Sequence, residues 1–165
     1  MVQGAVLVEQ SSQPEKPFTE PKNLNGDRCT SLTRVLVVDD HEPFRHFVRA
    51  TLSVRPELQI IGEASDGLDA VQKAEELQPD LIVLDIGLPQ LNGIEAARRI
   101  RKLSPQPKIL FLTQESSAEI VQEAIGLGAL GFVIKAQAAR DLPAALEAVL
   151  RNEKFISSTL KTVDG

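Results

Sequence analysis

The sequence predicts an α/β fold in which helices cover both faces of a doubly wound, five-stranded parallel sheet. Short apolar runs alternate five times with segments of helical periodicity. These runs are almost continuously apolar, which is typical of parallel strands buried on both faces. Such alternation favours right-handed crossovers between neighbouring parallel strands. The predicted strands are Arg34–Val38, Leu58–Glu63, Leu81–Leu84, Lys108–Thr113 and Gly131–Ile134.

Each predicted strand is followed by apolar residues that recur every three or four positions, as expected of a helix with one buried face. In the first helix these residues are Phe44, Phe47, Val48 and Leu52. Local signals mark where three helices start: Pro43 suits a first turn, Ser116 with Glu119 matches a capping box, and Asp141 precedes the last helix.

The composition is that of an ordinary globular domain and excludes several functional classes. Of 165 residues, 42% are hydrophobic and 25% are charged, and the net charge is −5. This charge gives no basic surface for nucleic acid or an anionic membrane. A single Cys excludes an internal disulfide framework. No apolar run approaches the roughly 20 residues of a membrane span, so we expect a cytoplasmic protein.

The regular pattern is confined to the middle of the chain. Residues 1–31 contain Pro14, Pro17 and Pro21 among polar residues and are predicted to be a flexible tail. Residues 32–158 are predicted to form the domain, and residues 159–165 a second, short tail. No internal repeat is evident.

Polar residues stand where four of the five predicted strands end. Asp39 and Asp40 follow the first strand, Asp85 follows the third, Thr113 ends the fourth, and Lys135 follows the fifth. Open α/β sheets bind ligands at this edge. Crowded carboxylates repel one another, and Mg²⁺ would relieve that repulsion while leaving room for a phosphate. A carboxylate beside Mg²⁺ can attack phosphorus.

Each of these residues also has a purely structural interpretation. An Asp-Asp pair can cap a helix, Asp85 can be a turn residue, and Lys135 can lie on the surface. Their joint placement at one edge favours the metal and phosphate site. A basic cluster in the third predicted helix is interpreted as a solvated face rather than a partner site; it consists of Arg98, Arg99, Arg101 and Lys102.

Three segments resemble the receiver domain of bacterial two-component response regulators: VLVVDDHEPFR, PDLIVLDIGLPQLNG and LGALGFVIK. The resemblance extends over approximately residues 32–158. It is strongest to the subfamily that usually has a C-terminal LuxR-type helix-turn-helix. It implies a flavodoxin-like fold with strand order 2-1-3-4-5. It also implies phosphorylation by a sensor histidine kinase and a signalling role rather than an enzymatic one.

The resemblance implies the metal ligands. Asp40 and Asp85 would bind Mg²⁺ directly, Asp39 would bind it through water, and the backbone carbonyl of Gly87 would complete the protein ligands. Asp85 would also be the phosphoacceptor.

The resemblance implies a switch as well. Thr113 and Lys135 would contact the phosphoryl oxygens, and Phe132 would be an aromatic switch residue, although a plain core position is an equally good interpretation. Phosphorylation would alter the surface formed by the fourth helix, fifth strand and fifth helix. That surface would bind an output partner or a second copy of the chain.

Three residues near the site depart from the usual receiver pattern. Ala136 follows Lys135, where many receivers have Pro. Gly87 places no side chain beside Asp85, and Gln114 follows Thr113, where a small residue is preferred. Together with Glu115, Gly87 and Gln114 are expected to govern water access to the phosphoryl group, and hence its lifetime.

Two other functions fit part of this pattern. A phosphohydrolase resembling the haloacid dehalogenase group also uses an aspartate nucleophile with Mg²⁺. That group requires Asp-x-Asp and a cap insertion, whereas Asp39 and Asp40 are adjacent. The other alternative is the N-terminal part of a LuxR-type transcriptional regulator. Few residues follow Phe155, so this chain alone is not expected to bind DNA.

Overall fold

A computed structural model describes residues 31–104, 106–114 and 117–157. Its strands are β1 (Thr33–Val38), β2 (Leu58–Ala64), β3 (Leu81–Asp85), β4 (Lys108–Thr113), β5 (Gly131–Ile134) and β6 (Phe155–Ile156). Its helices are α1 (Glu42–Ser53), α2 (Gly67–Leu77), α3 (Gly93–Leu103), α4 (Ala118–Gly126) and α5 (Ala138–Leu150), with a 3-10 turn at Lys135–Gln137. Apart from Ser31, the predicted N-terminal tail lies outside the described residues, as does the C-terminal tail.

All strands form one parallel sheet in the order β2-β1-β3-β4-β5-β6. The order predicted for the first five strands is confirmed. Strand β6 was not predicted, because two residues are too few to show a strand period.

Alternation along the central strands divides the core into two layers. In β1, Leu36 and Val38 face the layer covered by α2, α3 and α4. Val35 and Val37 face the opposite layer, covered by α1 and α5. Both faces of the sheet are therefore buried, which explains why the central strands read as continuous apolar runs.

Three helices begin with a side-chain cap. Asp66, Asn92 and Ser117 each accept a hydrogen bond from the backbone N–H three residues later. The cap of α4 is therefore Ser117 and not Ser116, which lies outside the described residues. Helix α5 begins at Ala138, so Asp141 lies in its first turn instead of preceding it.

A buried polar cluster attaches the end of the described chain to β5. Ser157 Oγ donates to Asp141 Oδ2 at 2.6 Å and accepts from the Ile134 N–H at 3.2 Å. The Ser157 N–H donates to the Phe132 carbonyl at 3.0 Å. Arg140 Nε donates to Asp141 Oδ1 at 2.9 Å. We call Asp141, Ser157 and their partners the C-terminal cluster; it continues the alignment of β6 with β5.

Half of the basic cluster on α3 has internal partners. Arg101 donates to the carbonyls of Leu127 at 3.1 Å and Pro107 at 2.5 Å, so it ties α3 to neighbouring loops. Arg99 and Lys102 are exposed. The prediction of a solvated face therefore applies to these two residues only. No helix in the described part of the chain is both long and apolar enough to cross a bilayer.

Candidate functional site

The ends of β1 and β3 bring three carboxylates together. Asp39 directly follows β1, and Asp85 is the last residue of β3. Because these strands are neighbours in the sheet, carboxylate oxygens of Asp39, Asp40 and Asp85 all lie within 4.8 Å of one another. Asp39 and Asp85 are 1% and 4% exposed, whereas Asp40 is exposed. Two of the three charges are thus shielded from water, and the third faces it.

Lys135 is the cation of the site. Its Nζ lies 2.7 Å from Asp39 Oδ2 and 3.2 Å from Asp85 Oδ2. The ammonium also lies 4.6 Å from the ring centroid of Phe44, within cation–π range. Lys135 therefore links the end of β5 to Asp39 and Asp85 across the edge of the sheet. One ammonium leaves the group of three carboxylates with an excess of negative charge.

One of the two buried carboxylates, Asp39, is incompletely hydrogen-bonded. Asp39 Oδ1 accepts from the His41 N–H at 2.8 Å, and Asp85 Oδ1 accepts from the Gly87 N–H at 3.2 Å. Asp39 Oδ2 is close to Lys135, but among the described residues it has no partner with hydrogen-bond geometry. This oxygen is therefore held by the charge of Lys135 and not by a well-directed hydrogen bond.

Burial raises the pKa of the Asp85 carboxyl above its usual value, and the negative charge of Asp39 adds to that effect. Lys135 and the Gly87 N–H act in the opposite direction without cancelling it. Asp85 therefore has a more basic carboxylate than an exposed aspartate, which favours its use as a nucleophile.

An open cavity of about 940 Å³ lies over these residues. Asp40, Asp85, Thr113 and Lys135 line it, and Phe44 of α1 forms part of its wall. Thr113 is the last residue of β4 and is 1% exposed. The structure thus brings together the carboxylates, hydroxyl and ammonium predicted for the site, with space for a phosphoryl group and its donor.

Two glycines at the site have opposite surroundings. A Cβ on Gly93 would lie 2.1 Å from the Asp85 carbonyl, so the first residue of α3 must be glycine to pack against the end of β3. A Cβ on Gly87 would meet nothing within 4 Å. The flank of Asp85 beside Gly87 is therefore open. Gln114 is exposed and lines the cavity, whereas Glu115 lies outside the described residues.

Phe132 lies in the core of the structure. It is 2% exposed, and its ring centroid is 6.2 Å from that of Phe111 in β4. This position agrees with the core interpretation of Phe132. Its switch role stays a prediction.

Two arginines around the site have contacts that the sequence did not predict: Arg45 was given no role, and Arg98 was interpreted as part of a solvated face. Arg45 Nη1 donates to the backbone carbonyl of Asp39 at 2.7 Å. Arg98 also lines the cavity, where it pairs with Glu95 of its own helix and with Glu123 of α4, the latter at 2.7 Å. Arg45 is the last residue of the VLVVDDHEPFR segment and lies near the start of α1. Its place in the segment that contains Asp39 and Asp40 was the signal in the sequence that it lies near the site.

Comparisons with known proteins agree with this geometry. Residues 35–147 match the response regulator receiver domain family. The chain is 37% identical over 127 residues to the transcriptional regulatory protein LiaR of Bacillus subtilis. The matched region covers 77% of this chain and 60% of LiaR. It is 36% identical over 120 residues to the response regulator protein VraR of Staphylococcus aureus, covering 73% of this chain and 57% of VraR.

A crystal structure of a LuxR-family two-component response regulator from Aurantimonas is similar in fold, with a TM-score of 0.75 and 32% identity. The match covers 80% of this chain and 94% of that one. The chain spans somewhat more than half the length of the curated relatives LiaR and VraR. From the matched residues and the shared fold, the chain belongs to the response regulator receiver domain family, and it is similar to a response regulator of the LuxR family.

Proposed function

We propose that Asp85 accepts a phosphoryl group from a phosphohistidine of a sensor histidine kinase. An Asp85 carboxylate oxygen attacks phosphorus and forms the acyl phosphate. The P–N bond breaks, and its electron pair returns to the imidazole, which takes a proton from solvent. The observation that supports this most directly is the placement of Asp85 beside the Lys135 ammonium, in the wall of the open cavity.

We propose that Asp40, Asp85 and the Gly87 carbonyl hold Mg²⁺ directly, and that Asp39 holds it through water. The residues present fit this ion, since they offer oxygen ligands with excess negative charge, and Asp39 Oδ2 lacks a hydrogen-bonding partner among the described residues. When bound, Mg²⁺ would neutralise charge on the phosphoryl oxygens during transfer. Asp40 would be the most accessible ligand, because it alone of the three aspartates is exposed.

Lys135 and Thr113 are proposed to bind the transferred group. The Lys135 ammonium would form a charge-assisted hydrogen bond to one phosphoryl oxygen, and the Thr113 hydroxyl would donate to another. Both residues stand at the ends of paired strands, since Thr113 of β4 is in register with Ile134 of β5. A shift of Thr113 toward the phosphoryl group would therefore act directly on β5.

The proposed response is a rearrangement of the surface formed by α4, β5 and α5, with Phe132 as the switch residue. Support comes from the pairing of Phe111 and Phe132 across β4 and β5, two positions before Thr113 and Ile134. This surface would bind an output partner or a second copy of the chain. The cytoplasmic location stays a prediction.

We propose that the output is control of transcription and that the chain is not a turnover enzyme. The curated relatives are named as a transcriptional regulatory protein and a response regulator, and their additional length leaves room for an output domain. We propose that this chain does not bind DNA by itself, in keeping with its net charge of −5.

The test is intact-protein mass spectrometry after incubation with acetyl phosphate and Mg²⁺. We expect one added phosphoryl group, lost in Asp85→Asn and absent when EDTA removes the metal. Asp80→Asn is the matched control, because Asp80 precedes the same strand at its opposite end. It should label like the wild type. Full labelling of Asp85→Asn would overturn the assignment.

A further inference from the structure

Arg45 links α1 to the turn that contains Asp39 and Asp40. Its side chain is only 16% exposed. Besides the hydrogen bond from Nη1 to the Asp39 carbonyl, its Nε donates to Glu63 Oε1 at 3.1 Å, and its Nη2 lies 2.5 Å from Glu42 Oε2. The guanidinium is therefore fixed by two carboxylates while a third donor points at the backbone of the site.

The Asp39 carbonyl belongs to the peptide that joins Asp39 to Asp40. The other groups of this turn are also tied down: the Asp39 N–H donates to the Ala64 carbonyl at 3.1 Å, and Asp39 Oδ1 accepts from His41. A peptide plane held at its oxygen can rotate little about its flanking bonds. Because Asp40 is exposed, packing constrains its side chain little, and the orientation of this hydrogen-bonded peptide constrains the direction of its Cα–Cβ bond.

Arg49 provides an internal comparison. It lies one helical turn after Arg45 and donates to the same Glu63 oxygen at 2.8 Å. It also lies 3.3 Å from Glu42. Within the described part of the chain, Arg49 makes no hydrogen bond to the Asp39 carbonyl. Arg45 and Arg49 thus share charge and both carboxylate partners, and they differ in contact with the acidic turn.

We infer that Arg45 is a positioning residue for Mg²⁺: its hydrogen bond to the Asp39 carbonyl orients the Asp39–Asp40 peptide so that the carboxylates converge on the ion. This inference rests on the metal site proposed above. Residues that orient metal ligands in this indirect way typically contribute about 10- to 100-fold to metal affinity.

The charge of Arg45 and its positioning role predict opposite changes in Mg²⁺ affinity when a neutral residue replaces it. The guanidinium is a cation near a cation site, so its charge alone weakens Mg²⁺ binding, and its removal would strengthen binding. Loss of positioning weakens binding instead. The partners Glu42 and Glu63 already offset much of the guanidinium charge, so the positioning effect dominates.

The experiment is a Mg²⁺ titration of the full chain, followed by the NMR shift of the Gly87 amide. We expect Arg45→Gln to weaken Mg²⁺ binding about tenfold, at the lower end of the range for such residues. Arg45→Lys, which keeps the charge but not the forked geometry, should give a smaller loss. Arg49→Gln should bind like the wild type. Thermal unfolding of each variant without Mg²⁺ separates this effect from a change in stability.

The outcomes distinguish the two proposals. A wild type that binds no Mg²⁺ would overturn the metal site, and the role of Arg45 with it. Wild-type binding together with equal or tighter binding by folded Arg45→Gln would overturn the role of Arg45 alone. If Arg45→Gln does not fold, Arg45→Lys decides, and unchanged affinity in that variant would contradict positioning. An equal loss in Arg49→Gln would assign the effect to the shared carboxylates.

Discussion

Two buried carboxylates meet the end of β5 in different ways. Asp141 has a hydrogen-bonding partner on each oxygen, from Arg140 and Ser157. Asp85 also has a partner on each oxygen, the Gly87 N–H and the Lys135 ammonium, but it shares that ammonium with Asp39, so two buried carboxylates have one counter-charge between them. Hydrogen bonding by Arg140 lowers the pKa of Asp141, whereas burial raises the pKa of Asp85. Ionised Asp141 contributes to stability, and ionised Asp85 diminishes it.

The difference separates a structural cluster, which is the C-terminal cluster, from a reactive cluster formed by Asp39, Asp40, Asp85 and Lys135. A buried polar group with all its partners fixes the fold, and the C-terminal cluster does so for α5, β5 and the chain after β6. A cluster with too many negative charges is held in place by the surrounding fold and is completed by a ligand. Each prediction below tests whether the two clusters differ in this way.

Lys135→Met should have the largest effect on stability. It leaves Asp39 and Asp85 buried without their counter-charge, and loss of one member of a buried ion pair costs about 3 kcal/mol or more. The free energy of unfolding in EDTA measures this loss. Mg²⁺ should restore part of it by supplying positive charge to the same carboxylates. Absence of rescue would mean that the acidic cluster is not a cation site.

Ser157→Ala should destabilise the protein by about 2 kcal/mol, because it leaves the Ile134 N–H and one Asp141 oxygen buried without a partner. Chemical denaturation with and without Mg²⁺ measures it. Here Mg²⁺ should restore nothing beyond its effect on the wild type, and the folded variant should still be phosphorylated. Rescue by Mg²⁺ would show that the two clusters are not independent.

Asp141 should make stability depend on pH with a definite sign. The pKa of Asp141 is lowered in the folded state. Ionised Asp141 therefore stabilises the fold at pH values above its unfolded-state pKa, and this stabilisation is lost as the pH falls through its folded-state pKa. Asp141→Asn should therefore be less stable than the wild type at pH 7. The difference should narrow as pH drops below about 4. Denaturation curves over this range test it, and a gap that stays constant would assign the loss to packing.

Gly87→Met should have the smallest effect and act on the reactive cluster alone. A side chain there enters open space beside Asp85, where it can shield the acyl phosphate from water. We expect loss of the phosphoryl group to slow about threefold, roughly 0.7 kcal/mol in activation free energy. The decay is followed after donor removal. Gly126→Met is the control, because its Cβ also meets nothing within 4 Å but lies on α4. Equal or faster decay in Gly87→Met would contradict shielding.

The reactive cluster was more predictable from sequence than the structural one. Asp39, Asp85 and Lys135 stand at the ends of continuous apolar strands, and parallel topology places such ends at one edge. Arg45 was missed because its role depends on a backbone carbonyl, which has no residue type to reveal it. The family resemblance supplied what spacing could not, namely the strand order and the assignment of Asp85 as phosphoacceptor.

The C-terminal cluster was missed for two physical reasons. Strand β6 pairs through two residues only, Phe155 and Ile156, and so gives no periodic signal. Asp141 was interpreted as preceding α5 because acidic residues favour helix starts, but the 3-10 turn at Lys135–Gln137 runs directly into a helix that begins at Ala138. Its buried contact with Ser157 crosses 16 residues of chain. A local rule cannot anticipate such a contact.

The hydroxyl of Ser157 also has a consequence for how the sheet ends. The Ser157 hydroxyl accepts a hydrogen bond from the Ile134 N–H of β5. If β6 were longer, one of its backbone carbonyls would accept this bond. The edge of the sheet at this point is therefore closed by a side chain after two paired residues. Long, flat edge strands recruit strands from other molecules and begin aggregation, and very short edge strands prevent it. A β6 of two residues offers few backbone groups for such pairing, and Ser157 occupies one further donor on β5.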